Sequence, residues 1–520
     1  MKKTLKSFAL CILSALMIIS SLQIFHLDVQ AEDTSGTLIA TFSISGGDDV
    51  NYYQKENESS LIAFTRMWRA AVISPSILDK YISIKLEADW SSSSLFLDTG
   101  YLSVPKFRNV TLDLNGHIIN RKLTNDSFSY NKNGAVFYLQ DYAALTIEDS
   151  NSVTEHAGSV VNNVWYPSTS MSGLATLVTL NGGVITGGAS SSDGGGVVCA
   201  KGSYFTMHGG TLAGNMTSGK GGGISVDASS ARVIIDGGHV MFNRSKEHGG
   251  GVYVDGGGFL ALQSGDISYN MVAGDYYGGG IYSDSGASVS GYITGVSSAV
   301  AMTGGSVCHN TAQYSGGIYQ DSGNVCLTGG TISDNTARKD GGGVYANGHN
   351  GTTTGVHLDG ASITYNYAGA DGGGFYSNTS YVEIHSGTIT NNTAKSKRGS
   401  GIFIGLTDNL YLTGGKIVIQ NNTVSNLYLR YSYDLKDGSL GKGSSVFISQ
   451  SDFSSGSDKT TVSWTSEAAT YNTNYMHADY TGYVIKRING NVYIVKSSET
   501  EPTEGSAPTT YTADNATYAV

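Results

Sequence analysis

The amino-acid sequence predicts an all-β chain wound as a right-handed parallel β-helix solenoid, with an N-terminal capping α-helix and a β-rich C-terminal cap. Three observations carry that expectation: one unit of residues written about eight times, apolar alternation over short runs, and glycines held in register. The unit reads apolar-x-apolar-x-Gly-Gly-x-Ile/Val-x-x-Asn, then about ten polar or small residues, then Gly-Gly-Gly-Val/Ile-Tyr. Its plainest copies span 325–335 with 341–345, and 233–243 with 249–253. Self-similarity at a fixed period of roughly 20–50 residues marks a stacked architecture.

The repeat sets the geometry. Glycine triplets begin at Gly194, Gly221, Gly249, Gly278, Gly341 and Gly372, with the variants Ser315-Gly316-Gly317 and Gly399-Ser400-Gly401. Consecutive starts lie 26 to 37 residues apart, yet the Gly-Gly pairs at 209, 237 and 329 each precede their triplet by 12. Insertions therefore fall at one corner, after the Tyr-bearing strand, and the largest lies between Asp284 and Ala299. Within a period, 252–254, 259–263 and 265–270 alternate and are bounded by Gly, Asp and Asn, which reads as strand. Three strands per turn suit a parallel β-helix better than Ca²⁺ rolls, leucine-rich repeats or propeller blades. About twelve turns rising roughly 4.8 Å each give a rod on the order of 55 Å long. Its clearest core column is Ile185, Leu212, Val240, Ile267, Val307, Ile332, Ile363, Ile389 and Ile417.

The elements follow in order. Residues 1–31 read as a secretory signal peptide: Lys2, Lys3 and Lys6, an apolar run over 8–22, and the small-residue site Val29-Gln30-Ala31. Residues 32–150 are expected to form the N-terminal cap and irregular first turns. Over 59–74, Leu61, Ile62, Phe64, Met67, Trp68, Ala71 and Val72 fall at helical spacing, Ser60 is placed to cap the start, and Pro75 marks the stop. Such a helix would cover the open first layer of the stack. Strand-like runs at 82–88, 110–119, 135–139 and 145–149 lack the Gly-Gly signature. Residues 151–424 hold the regular repeats, 425–496 a Ser/Thr/Tyr-rich C-terminal cap, and 497–520 a disordered, solvated tail.

Composition excludes several functions. The formal net charge of −11 argues against nucleic acid as a partner, which would want a basic stripe. No run after the leader reaches the roughly 18 apolar residues of a spanning helix. With Cys11 in the leader, Cys199, Cys308 and Cys326 are too few and too scattered for a disulfide framework or a zinc site, so no metal ligands are assigned.

Four columns are candidates for function. Asn215, Asn243, Asn270, Asn310, Asn335, Asn366 and Asn392 read first as an amide ladder and second as a sugar-binding row. Asp227, Asp255, Asp284, Asp321, Asn347 and Asn378 sit four residues past each triplet's last glycine; stacked carboxylates must be solvated or bridged, and Ca²⁺ is the ion such a row would take. Tyr253, Tyr282, Tyr319, Tyr345 and Tyr376 alternate with core residues and should point outward, stabilising neighbouring strands or offering a strip for glycan or protein contact. The residue before each triplet varies: Asp193, Lys220, His248, Tyr277, Asp340, Asp371 and Arg398, as on a solvated edge or a recognition surface.

The run 109–119, Asn-Val-Thr-Leu-Asp-Leu-Asn-Gly-His-Ile-Ile, preceded by the helix and by Leu86-Glu87-Ala88-Asp89-Trp90, resembles the N-terminal turns of secreted bacterial right-handed β-helix proteins. The Gly-Gly-x-Ile units and Val240-Met241-Phe242-Asn243 resemble the repeats of polymorphic outer-membrane proteins and related surface adhesins of the pectin-lyase-like superfamily. The resemblance covers roughly 60–495 and implies the fold. It leaves activity open, because that superfamily holds lyases, hydrolases, epimerases and non-catalytic adhesins. Polygalacturonase-type hydrolases carry Asn-Thr-Asp, Asp-Asp, Gly-His-Gly and Arg-Ile-Lys motifs. Here Gly47-Asp48-Asp49, Gly237-Gly238-His239 and Lys486-Arg487-Ile488-Asn489 stand apart and do not form that set. The expectation is a monomeric, secreted or cell-surface, non-catalytic binding module or adhesin whose partner is a polysaccharide or a surface protein. The alternative is a polysaccharide lyase or glycoside hydrolase drawing on Asp227, Asp255, Asp284 and His248.

Overall fold

In the computed structural model, strands at equivalent places in successive repeats pair in parallel and in register, so the chain coils into a β-solenoid of about 12 turns. The structure describes residues 36–497 apart from 45–46, 74–80, 93–99, 125–129, 131–132, 171–174, 285–288, 294–295, 349–353, 379, 406–408, 431–435, 438–439, 451–473 and 489–490. The leader expected at 1–31 and the tail, beyond Ser497, lie outside those residues.

Three long faces and one short one make each turn. Val252–Asp255 pairs with Ile281–Ser283, continuing through Ile318–Gln320 and Val344–Ala346. The segments expected as two strands at 259–263 and 265–270 are one bent strand, Phe259–Ser268, whose halves pair with different strands of the next turn. A fourth, two-residue face follows each ladder Asn, as in Thr311–Ala312 beside Thr336–Ala337. Ile185, Leu212, Val240, Ile267, Val307, Ile332, Ile363, Ile389 and Ile417 are all buried in one continuous core.

The glycine triplets are explained by crowding. Gly249 holds a φ of 65°, and a Cβ on Gly250 or Gly251 would meet the carbonyl oxygen of Gly279 or Gly280 at 2.5 or 2.7 Å. Backbones of successive turns approach too closely there for any side chain.

The ends depart from expectation in instructive ways. The helix Ser60–Trp68 forms as predicted and runs on as a π-helical stretch, Arg69–Ile73. Its cap is Ser59, one residue before the expected Ser60, with the Ser59 hydroxyl accepting from the Ile62 N–H. Phe64, Met67, Trp68 and Ala71 are buried against the core, and the Trp68 indole donates to the Ser103 carbonyl. An antiparallel pair, Thr37–Ile44 with Val50–Gln54, adds to the first rung at Tyr81–Leu86 and covers its open edge.

The first turns are not irregular: Tyr81–Leu86, Asn109–Asp113 and Ala144–Glu148 stack in register without any Gly-Gly pair, and Tyr204–Met207, which leads into Gly209-Gly210, continues the same ladder. The C-terminal segment likewise continues the stack through Ser445–Gln450 and Met476–Ala478 before the antiparallel pair Tyr483–Ile488 and Asn491–Lys496. Inside the span expected to be regular, Glu155–Val161, Val164–Tyr166 and Thr176–Asn181 form a separate antiparallel sheet lying outside the coil. No helix among the described residues is long and apolar enough to cross a membrane.

Candidate functional site

The asparagine column is a ladder. Asn335 Nδ2 donates to Asn366 Oδ1 at 3.0 Å and to the Val307 carbonyl at 2.8 Å, while its Oδ1 accepts from the Asn310 side chain and backbone N–H, each at 3.0 Å. The pattern repeats from Asn215 to Asn392, passes through Asn422 and Asn426, and ends on the Asp479 carboxylate. Each amide spends its donors and acceptors inside the protein, which leaves nothing for a sugar.

Just before each ladder Asn the backbone turns left-handed. Phe242, Tyr269, His309, Asp334, Tyr365, Asn391 and Asn421 hold φ between 52 and 59°. Bulky residues rarely adopt that region, and the ladder bonds on either side hold them there. The turn projects these side chains outward, where Phe242, Tyr269 and His309 stack at 4.9 and 4.6 Å between centroids.

The tyrosine column leaves the core side, as alternation requires, but it is not a surface strip. Tyr253, Tyr282, Tyr319 and Tyr345 are at most 7% exposed and form a cluster of their own. They stack at 5.4, 5.3 and 4.8 Å, and the row continues through Tyr376 and Phe403. Four of the residues ahead of the triplets roof this row, each over the ring one turn on. Lys220 Nζ lies 4.5 Å from the Tyr253 ring, His248 packs 4.4 Å from Tyr282, Tyr277 4.6 Å from Tyr319, and Tyr314 5.9 Å from Tyr345. The column that varied was therefore neither a free edge nor a recognition surface at these positions. These four differ in type and share one task, covering an aromatic ring, whereas Asp193, Asp340 and Asp371 accept hydrogen bonds from the next turn.

The carboxylates expected as catalytic candidates do not converge. Asp227 and Asp255 are register partners on adjacent rungs, and Asp284 and Asp321 extend the row along the axis, hydrogen-bonded by backbone to the rung before each. Lys220 donates to the Tyr253 hydroxyl, which donates to Asp255, both at 2.7 Å; the Tyr282 hydroxyl donates to Asp321 at 3.1 Å and Ser322 to Asp284 at 2.8 Å. Burial, with Asp255 beside it, raises the Asp227 carboxyl above its ordinary range, and burial raises Asp284 as well. Burial and then the Lys220 charge push His248 down to about 4, and its Nδ1 is buried without a hydrogen-bond partner. His248 is thus a neutral packing ring near pH 7. Among the described residues no three His, Cys, Asp or Glu side chains gather as a metal site.

A different place has the shape of a site. A cleft of about 340 Å³ opens between the strand Thr176–Asn181 and the outer face of Thr211–Ala213 and its successors. His239 and Asp266 are paired through Nδ1 and Oδ2 on neighbouring rungs, and Ser268 donates to the other Asp266 oxygen. The Asp266 hydrogen bond raises the His239 pKa. Tyr269 and His309 flank the floor, and Cys308 lies half-buried upon it.

The wall is fixed in place. Trp165 is buried with Leu180, Val184, Ala213 and Phe242, and its carbonyl sits where a Cβ on Gly214 would stand 2.0 Å away. Asn163 Nδ2 donates to the Tyr269 carbonyl. Gly237-Gly238-His239 was visible in the sequence, but its partner Asp266 and the overlying sheet were not. The one available sign was that 155–181 lacks the Gly-Gly unit.

Against known protein families, curated proteins and solved structures, the chain finds no match.

Proposed function

We propose that this protein is a secreted or cell-surface, non-catalytic solenoid that binds glycan on its outer face, an adhesin or binding module rather than an enzyme. The observation that carries the reading is linear placement: Asp227, Asp255, Asp284 and Asp321 run one per rung, tied to tyrosine, serine and backbone groups. Acid/base cleavage of a glycosidic bond wants two carboxyls facing each other across about 5–10 Å of open groove. A row along a wall, with His248 packed among aromatic rings, supports contact rather than bond cutting. Among the described residues, the cleft beside Thr176–Asn181 offers Asp266 as its one carboxylate, which favours the same side.

Its partner would be a polysaccharide or a glycosylated surface, and the chain would act as a monomer. Incubation with acidic and neutral polysaccharides tests the proposal. It expects retention on at least one of them with neither new reducing ends nor unsaturated products. Reproducible release of either product would overturn it.

A further inference from the structure

We infer that the cleft between Thr176–Asn181 and the His239 rung is a subsite for one uncharged sugar residue, with His239 and Asp266 reading its hydroxyls. The inference rests on the proposal that the chain binds glycan, and it names where and in what form.

The cleft is a built feature. Trp165, buried to 0% exposure, pins the overlying sheet to Phe242, Ala213 and Val184, so the wall carrying Leu180 and Asn181 does not depend on a ligand to hold it. At about 340 Å³ the space falls at the small end of ligand sites, the scale of a ring or two.

The lining selects against other ligands. Among the described residues no Lys or Arg side chain lines the cleft, and the basic His239 is already paired with Asp266, so an anion would meet a carboxylate and no unpaired Lys or Arg charge. A divalent ion would want several hard oxygen ligands, and no three-ligand group exists among the described residues.

What remains suits hydroxyl groups, which donate and accept alike. Asp266 accepts. His239 keeps Nδ1 on Asp266, so its Nε2 is the atom left to meet a ligand; it makes no hydrogen bond to a described residue, and the imidazole is about half exposed. Asn181 and Ser306 add donors and acceptors around the same space. Leu180 and Met241 supply an apolar patch for the C–H side of a sugar ring. In the outward stack, Phe242 and Tyr269 spend their facing surfaces on each other, and Tyr269 its second on His309. His309, exposed at the end of that row, keeps one ring face for a sugar to lie against.

Cys308 makes the site report on itself. Its thiol is half-buried on the cleft floor, whereas Cys199 and Cys326 are buried. The full chain is treated with iodoacetamide at pH 8.5, and alkylation at Cys308 is followed by peptide mass spectrometry. Methyl galactoside, methyl mannoside and methyl N-acetylglucosaminide serve as neutral probes, and galacturonate as the charged arm.

At saturation, at least one neutral glycoside is expected to slow Cys308 labelling about fivefold or more. His239→Phe and Asp266→Asn should abolish that protection, each variant being compared with its own sugar-free rate, because burial and the Asp266 charge hold the Cys308 thiol up and loss of that charge should quicken basal labelling. Retention on immobilised polysaccharide is measured in parallel. Retention without protection by any neutral glycoside overturns the subsite and leaves the binding-module proposal standing; loss of both overturns both. Protection by galacturonate alone overturns the uncharged-ligand assignment, and protection that survives both substitutions overturns the roles of His239 and Asp266.

Discussion

Asn335 satisfies a whole amide: two donated and two accepted hydrogen bonds, all between 2.8 and 3.0 Å, at a side chain with no exposure. Asn335→Ala strands donors on Asn310 and acceptors at Val307 and Asn366 in a dry interior, so a loss on the order of 3–5 kcal/mol is expected. A urea midpoint within error of wild type would contradict it. His248 gives a pH prediction. Its folded pKa, about 4, lies below the ordinary 6.5, so the unfolded chain binds the extra proton first as pH falls. The neutral ring's contribution is fully present above about pH 6.5 and is lost on the way down to 4. Because the ring is partly solvated, roughly 1–2 kcal/mol is the expected size. His248→Phe keeps the stack and loses no hydrogen bond, so the gap in melting temperature between variant and wild type should widen from pH 7 to pH 4.5. A constant gap would contradict the assignment. The ladder was legible in the sequence because hydrogen bonding demands one residue type at every rung. The roof over the tyrosines was not, because Lys220, His248, Tyr277 and Tyr314 cover rings by four different chemistries, and variation at a position hides a shared role.

At the scale of elements, the helix Ser60–Trp68 was readable because only helical spacing places Phe64, Met67, Trp68 and Ala71 on one face. Deleting 59–74 would uncover apolar surface worth roughly 25 cal/mol per Å² along with the first core layer. Such a chain should aggregate or polymerise end to end, whereas removing 497–520 should leave the melting temperature unchanged. Light scattering that finds the helix-deleted chain monomeric, with unaltered melting, would reject the cap. The sheet at Glu155–Asn181 escaped notice for a physical reason: its strands alternate much as rungs do, and which side of the coil they occupy depends on a distant anchor, Trp165 on Phe242. Trp165→Ala should release that sheet without unwinding the stack. Hydrogen exchange in Glu155–Val161 and Thr176–Asn181 is expected to quicken about 100-fold while Phe259–Ser268 stays protected. Equal loss in both places would mean that the outer sheet is part of the fold's core stability.

At the scale of the whole molecule, the described residues form a solenoid of about 12 turns whose core columns repeat and whose exterior does not. Core columns, ladder and glycine triplets repeat because every turn solves the same packing problem, which is why the fold could be read from periodicity. The cleft could not, because it joins His239, Asp266 and Cys308 of successive rungs to a sheet inserted before them, and no short window of sequence holds that set. Binding without turnover is the central claim, and titration calorimetry addresses it most directly. Injecting neutral oligosaccharides, prepared from a polysaccharide that retains the chain, should give heats that saturate and return to baseline after each injection. Heat flow that persists after mixing and scales with protein concentration would mark turnover and contradict the claim, as would the absence of any saturable heat.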